Sequence, residues 1–160
     1  MFSSLQKTNK TRIPADVLSA RMADARVQLA FAMQVCRMQY DGGRGFGFEH
    51  PGDATSWQEP CVLDMPGRAG VYIAKFDQCR FGLTSPAGEP LKKRTHVMTN
   101  VKEVLDELDG KFCNCLPTTH RRVSGYEMGV LVSKHSQVYP PPLVLALVDG
   151  FARGAGVPLA

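Results

Sequence analysis

Apolar side chains recur at Leu18, Met22, Ala25, Leu29, Met33, Cys36 and Tyr40, the spacing that lays one apolar stripe along a helix. Pro14 suits the helix start, and Asp41-Gly42-Gly43 ends it because glycine accepts the left-handed cap conformation. Such a stripe predicts a helix packed on a sheet. Residues 46–51 read as a short strand closing on Glu49, His50 and Pro51. Proline cannot donate to a central ladder, so this polar pair belongs at the strand's carboxyl end. Residues 54–65, with Trp57, predict a short helix closed by Pro66-Gly67. A second strand is expected over 71–76, a loop over 84–90 and a third strand over 96–99. Asn100 has the side chain of a cap for a helix over 101–108. Residues 111–126 carry no period, 128–132 suit one more strand, and the turn Pro140-Pro141-Pro142 opens a last helix over 143–153.

Helices alternating with strands predict an α/β layered fold. The expected organisation is an entry loop over 1–14, one domain over 15–155 and a tail over 156–160. A chain of 160 residues with 44% apolar content fills one core rather than two. It has no run of eighteen apolar residues and no secretory pattern at its N-terminus, so the expectation is an intracellular protein, nuclear or cytoplasmic, without a membrane partner. Five cysteines, an odd number in apolar surroundings, suit reduced thiols. A net charge of +4 permits nucleic-acid contact without requiring it.

Two groups of residues carry candidate chemistry. Arg80, beside the aromatic-glycine turn Phe81-Gly82, together with Lys92, Lys93, Arg94, Arg121 and Arg122, offers cations for phosphate contacts. Cys113-x-Cys115 with His120, and with His135 or Cys79 as a fourth partner, has the residue types of a tetrahedral zinc site. Cys-x-Cys is shorter than the usual pair spacing, and ordinary reduced thiols are the plainer reading. Cys79 as a nucleophile beside Arg80 lacks an adjacent base in the sequence.

Three segments in order resemble later motifs of the cytosine-5 DNA methyltransferases, which use S-adenosylmethionine. Phe48-Glu49-His50-Pro51 is similar to the strand that ends in the family's base-holding glutamate. Phe81-Gly82, Glu89-Pro90 and Lys92-Lys93-Arg94 resemble the segment leading into the family's arginine pair. The run from Val138 through Pro140 and Pro141 to Val144 resembles the closing motif near the cofactor, and Phe2-Ser3 with Leu5-Gln6 resembles the stretch just past the nucleophile loop. The whole pattern also resembles methyltransferase-like proteins of protist and algal genomes and mobile-element polyproteins.

The resemblance implies a Rossmann-like half-sheet of mixed strands flanked by helices. It gives Glu49 and Arg94 catalytic roles and sets Pro140 and Pro141 near the cofactor, with S-adenosylmethionine bound only if an upstream segment completes the domain. No Gly-x-Gly cofactor loop and no Pro-Cys nucleophile stands in the chain, and His50 occupies the place of an asparagine. The implication is therefore the C-terminal part of a methyltransferase-like domain, inactive alone. The alternative is a non-catalytic nucleic-acid-binding or assembly module from a mobile element. An open sheet edge near residues 46–49 adds an expectation of self-association.

Overall fold

The computed structural model describes residues 13–116 and 119–157. Residues 1–12 of the entry loop expected over 1–14, including Phe2, Ser3, Leu5 and Gln6, lie outside the described residues, as do 158–160 of the tail expected over 156–160.

Helix α1 runs Ala15–Asp41 and lays Leu29, Met33 and Cys36 on the core. Strand β1 (Gly47–Pro51) comes next, then a 3-10 turn (Thr55–Gln58) and the short α2 (Pro60–Leu63). The single helix expected over 54–65 is thus broken in two. Pro60 is the cause: the residue before a proline is pushed out of the helical region, and Glu59 is extended at φ −72° and ψ 137°. Strand β2 (Tyr72–Asp77) runs into a 3-10 turn (Gln78–Phe81), and β3 (Arg94–Thr99) returns across the sheet.

Helix α3 (Lys102–Leu108) has Val101 at its N-cap position, with no side-chain cap. Asn100 is therefore not the expected cap. Its amide accepts from the Phe46 backbone N–H at 2.8 Å and donates to the Arg44 carbonyl at 2.9 Å, fixing the entry into β1. The strand expected over 128–132 is instead a two-residue hairpin, β4 (Tyr126–Glu127) and β5 (Val130–Leu131), continuing into α4 (Val132–His135). Met128 at φ 49° and Gly129 at φ 75° turn the hairpin, both left-handed as a tight two-residue loop demands. Helix α5 (Pro141–Gly154) carries Pro141 in its first turn.

The main sheet has the order β1-β3-β2 and is antiparallel throughout, with Glu49 opposite Val97 and Asp77 opposite Arg94. The fold is α/β, but the parallel crossover of a Rossmann-like half-sheet is not found among the described residues. Alternation along β3 divides the core. Met98 packs with Leu29, Met33, Phe46 and Met65 under α1 and α2, whereas Val97 packs with Ala74, Phe76, Val104 and Leu143 under α3 and α5. Strand β1 is an edge, as expected. The other edge is covered at its carboxyl end, where Gly110 donates to the Lys75 carbonyl and Asp77 N–H to the Lys111 carbonyl, both at 3.1 Å.

Candidate metal centre

The carboxyl end of β2 is where chain segments distant in sequence meet. Asp77 is buried there, and Arg94 grips its carboxylate with two bonds of 2.6 and 3.1 Å. The same carboxylate accepts the backbone N–H of Cys113 at 2.9 Å. Gln78, also buried, donates from its side-chain amide to Thr95 Oγ1 at 2.9 Å, and its backbone N–H meets the Lys93 carbonyl. These bonds fix the 3-10 turn that presents Cys79. Gly82 closes the turn at φ 84°, a left-handed value that glycine takes without Cβ strain.

Opposite Cys79 lies the loop that leaves α3, zipped to β2 through residues 109–111 before it delivers Cys113 and Cys115. A third segment brings His120, held because the next residue, Arg121, donates its backbone N–H to the Pro90 carbonyl at 3.1 Å. The result is a group of four: the ligating atoms of Cys79, Cys113, Cys115 and His120 all lie within 4.8 Å of one another. Cys113 Sγ stands 3.1 Å from His120 Nε2 and 3.3 Å from the Cys115 backbone nitrogen. A tetrahedral zinc with sulfur at about 2.3 Å separates its ligands by about 3.8 Å. The group can hold a metal ion with shifts of about 1 Å, and its donors, three thiols and an imidazole, are those that zinc selects.

The electrostatics agree with that use. Burial pushes the Cys79 thiol up to about 12, helped by its hydrogen bond to Cys113 and by the neighbouring sulfurs. At Cys113 burial works against the thiolate, but the Cys115 amide and hydrogen bonds from Cys79 and Cys115 outweigh it and hold the thiol below its ordinary value. Cys115 is raised, first by its hydrogen bond to Cys113 and then by burial. Of the three thiols Cys113 gives up its proton most readily, and Cys79 and Cys115 hold theirs more tightly; a dication would supply the charge that lets all three ionise. Arg94 lies 4.7 Å over the Phe112 ring, Arg80 donates to Asn114 at 2.5 Å, and Lys111 lies 5.8 Å over the Phe81 ring, so the ligand loops are ringed by cations.

Of the candidates named from sequence, Cys113, Cys115 and His120 come together, and Cys79 rather than His135 completes the group. The His135 ring instead meets the Thr84 carbonyl at 3.0 Å. Among the cations, Arg94 is committed to Asp77 and Arg121 to Glu127. Lys93 donates to the Ser136 carbonyl at 2.9 Å and lies 5.9 Å over the Tyr139 ring. Arg80, Lys92 and Arg122 are exposed.

Glu49 and Arg94 do not converge. By strand register Glu49 shares the face of Val97 and Ala74, while Arg94 belongs to the face of His96 and Met98. The neighbours of Glu49 are Lys93 and Tyr139: burial lowers the half-buried Lys93 ammonium with the Glu49 charge opposing, and burial followed by Glu49 raises the Tyr139 phenol. Glu49 Oε1 is buried without a hydrogen-bond partner among the described residues. Pro140 and Pro141 line a surface hollow of about 190 Å³ with Gly82, Thr84 and His135, below the size of ordinary cofactor sites, roughly 300–1,000 Å³. No helix among the described residues is long and apolar enough to cross a membrane. No family model, curated protein or solved structure matches the chain.

Proposed function

We propose that the chain is a zinc-folded, non-catalytic module that presents a basic loop surface to a nucleic-acid backbone. The observation that carries the zinc is the group of Cys79, Cys113, Cys115 and His120. Four protein ligands close a tetrahedron and leave no position for a substrate or an activated water, which is the pattern of a structural centre. Zinc in that place ties the end of β2, the loop leaving α3 and the segment at 119–121 into one unit. That stretch has few other means of holding together, since its hydrophobic cluster is small: Leu83, Leu91 and Val132.

The nucleic-acid part is supported by where the exposed cations stand. Arg80 adjoins one ligand, Arg122 lies two residues past another, and Lys92 is close enough for its charge to favour the Cys113 thiolate. Phosphate contacts from such residues carry affinity without reading sequence. The methyltransferase likeness rests on motif order, and Glu49 and Arg94 on opposite faces of the sheet give it no common hollow.

Two measurements test the proposal separately. Cobalt titration of the reduced, metal-free chain should give one equivalent of bound ion with the intense thiolate charge-transfer bands of tetrahedral sulfur ligation, and Cys79→Ser should weaken it. Absence of stoichiometric binding removes the zinc. Fluorescence anisotropy with an oligonucleotide should show affinity that falls as salt rises, by a slope of about two to three for as many phosphate contacts. A flat salt response removes the nucleic-acid partner and leaves the metal centre standing.

A further inference from the structure

Helix α1 is apolar on two opposite sides. One side faces the core through Leu29, Met33 and Cys36; the other faces solvent, with Val27 70%, Phe31 67% and Met38 59% exposed. The exposed positions 17, 20, 24, 27, 31, 34 and 38 alternate in steps of three and four, the a and d spacing of a coiled-coil seam. Over those residues the seam is about 32 Å long. Buried Leu29 and Cys36 fall at the f position of the same heptads, so one helix serves its own sheet with its back and offers the seam with its front.

We infer that this seam docks a second copy of the same chain, the two α1 helices pairing antiparallel about a two-fold axis near residue 29. Polarity sets the direction. A parallel pair would bring Asp24 against its own copy at a buried a position, like charge on like charge. An antiparallel pair meets a against d. In the register where partnered numbers sum to about 58, Val27 meets the partner's Phe31, Ala20 meets the partner's Met38, and Asp24 meets the partner's Gln34, whose amide can donate to the carboxylate. Each of these contacts occurs twice by symmetry, as an isologous interface requires. Of the flanking positions, Gln28 and Ala30 at the centre are uncharged, while Arg21 and Arg37 carry charge; this antiparallel register sets them opposite the partner's Val35 and the partner's Ala23 rather than against each other.

A strip one helix wide is at the small end of specific interfaces, so the dimer is reversible, with a Kd on the order of 10 µM. Sedimentation of the full metal-loaded chain from about 5 to about 500 µM should show the mass doubling across that range. Phe31→Glu should raise the Kd by about 100-fold or more, and Val27→Lys should do the same, both at exposed sites where folding is unaffected by circular dichroism. The paired change Asp24→Arg with Gln34→Glu places opposite charges across the antiparallel register and should tighten the dimer by about tenfold. A monomer throughout, a dimer indifferent to Phe31→Glu and Val27→Lys, or dissociation by the paired change would each overturn the proposal, the last because it is the result expected of parallel helices.

Discussion

The Asp77 carboxylate accepts the backbone N–H of Cys113 at 2.9 Å. That bond links the end of β2 to the loop carrying two of the candidate ligands, and it is made by a side chain only 1% exposed that Arg94 also holds. Asp77 therefore positions Cys113 without itself belonging to the candidate ligand group. Asp77→Ala would leave a buried N–H without its acceptor and the Arg94 guanidinium without its counter-charge. The expected loss is about 2–4 kcal/mol of stability. Loss of such support typically weakens metal binding about 10–100-fold. Competition with a chromogenic chelator measures the second effect; an unchanged zinc affinity would show that the loop orients Cys113 without Asp77.

Glycine at 150 allows α5 to lie directly on α3. A Cβ there would come within 2.8 Å of Val104 Cα and 3.0 Å of its backbone nitrogen. Backbone cannot swing aside as a flexible side chain can, so overpacking of about 1–3 kcal/mol outweighs the better helix propensity of alanine, which is worth up to about 1 kcal/mol. Gly150→Ala should lower the thermal midpoint by roughly 3–6 °C in a chain of this size. Differential scanning calorimetry checks it, and a rise in the midpoint would mean that the two helices separate easily.

The pattern of the chain made some of this legible and hid the rest for physical reasons. The core stripe of α1 could be read because Leu29, Met33 and Cys36 follow the helical period, and β1, β2 and β3 fall where short apolar runs stood. The second seam through Val27 and Phe31 shares that period, so a search for a single stripe passes over it. Pro60 was the available signal that the segment over 54–65 could not be one helix. Cys113, Cys115 and His120 offered the residue types of a metal site beside the plainer reading of reduced thiols, but choosing Cys79 over His135 as the fourth member needed the tertiary return of the loop along β2. Sheet direction was less accessible: a helix between two strands in sequence suggests a parallel crossover, and only the pairing of β1 and β2 on either side of β3 shows that both meet it antiparallel.

Two histidines on the face of the sheet that packs under α1 and α2 predict how stability responds to acid. Burial lowers His50, and burial lowers His96 with the charges of Lys75 and Arg94 adding to it and Asp53 opposing. Phe48 stacks on His50 at 5.6 Å, and Trp57 tilts against His96 at 5.6 Å. Both rings favour the neutral form in the folded chain, while an unfolded histidine titrates near about 6.5. The unfolded state thus binds more protons below that pH. The stabilisation is complete above about 6.5 and is lost as pH falls through the lower folded values. Urea midpoints of the metal-loaded chain between about pH 7.5 and 5 should fall toward acid. Ligand protonation contributes to the same fall, so the His96 share is read as the difference from His96→Gln, which should narrow as pH drops; a constant difference would show that His96 does not titrate with folding.

Lys92 and Lys93 are adjacent in sequence, yet the fold assigns them different work. The Lys93 ammonium donates to the Ser136 carbonyl, sits against Tyr139 and faces the charge of Glu49, while Lys92 is exposed beside the loops that carry the candidate ligands. Lys93→Ala removes the cation nearest to a partly buried carboxylate and should cost about 1–3 kcal/mol of stability. Lys92→Ala should leave the unfolding midpoint within about 0.5 kcal/mol of the parent. In oligonucleotide binding the order reverses: Lys92→Ala should weaken affinity and reduce the salt slope by about one, and Lys93→Ala should change neither once measured below its own unfolding temperature. Equal effects of the two substitutions on binding would mean that Lys93 leaves its internal contacts to meet phosphate, and would remove the separation between a structural and a contacting lysine on which this part of the surface is assigned.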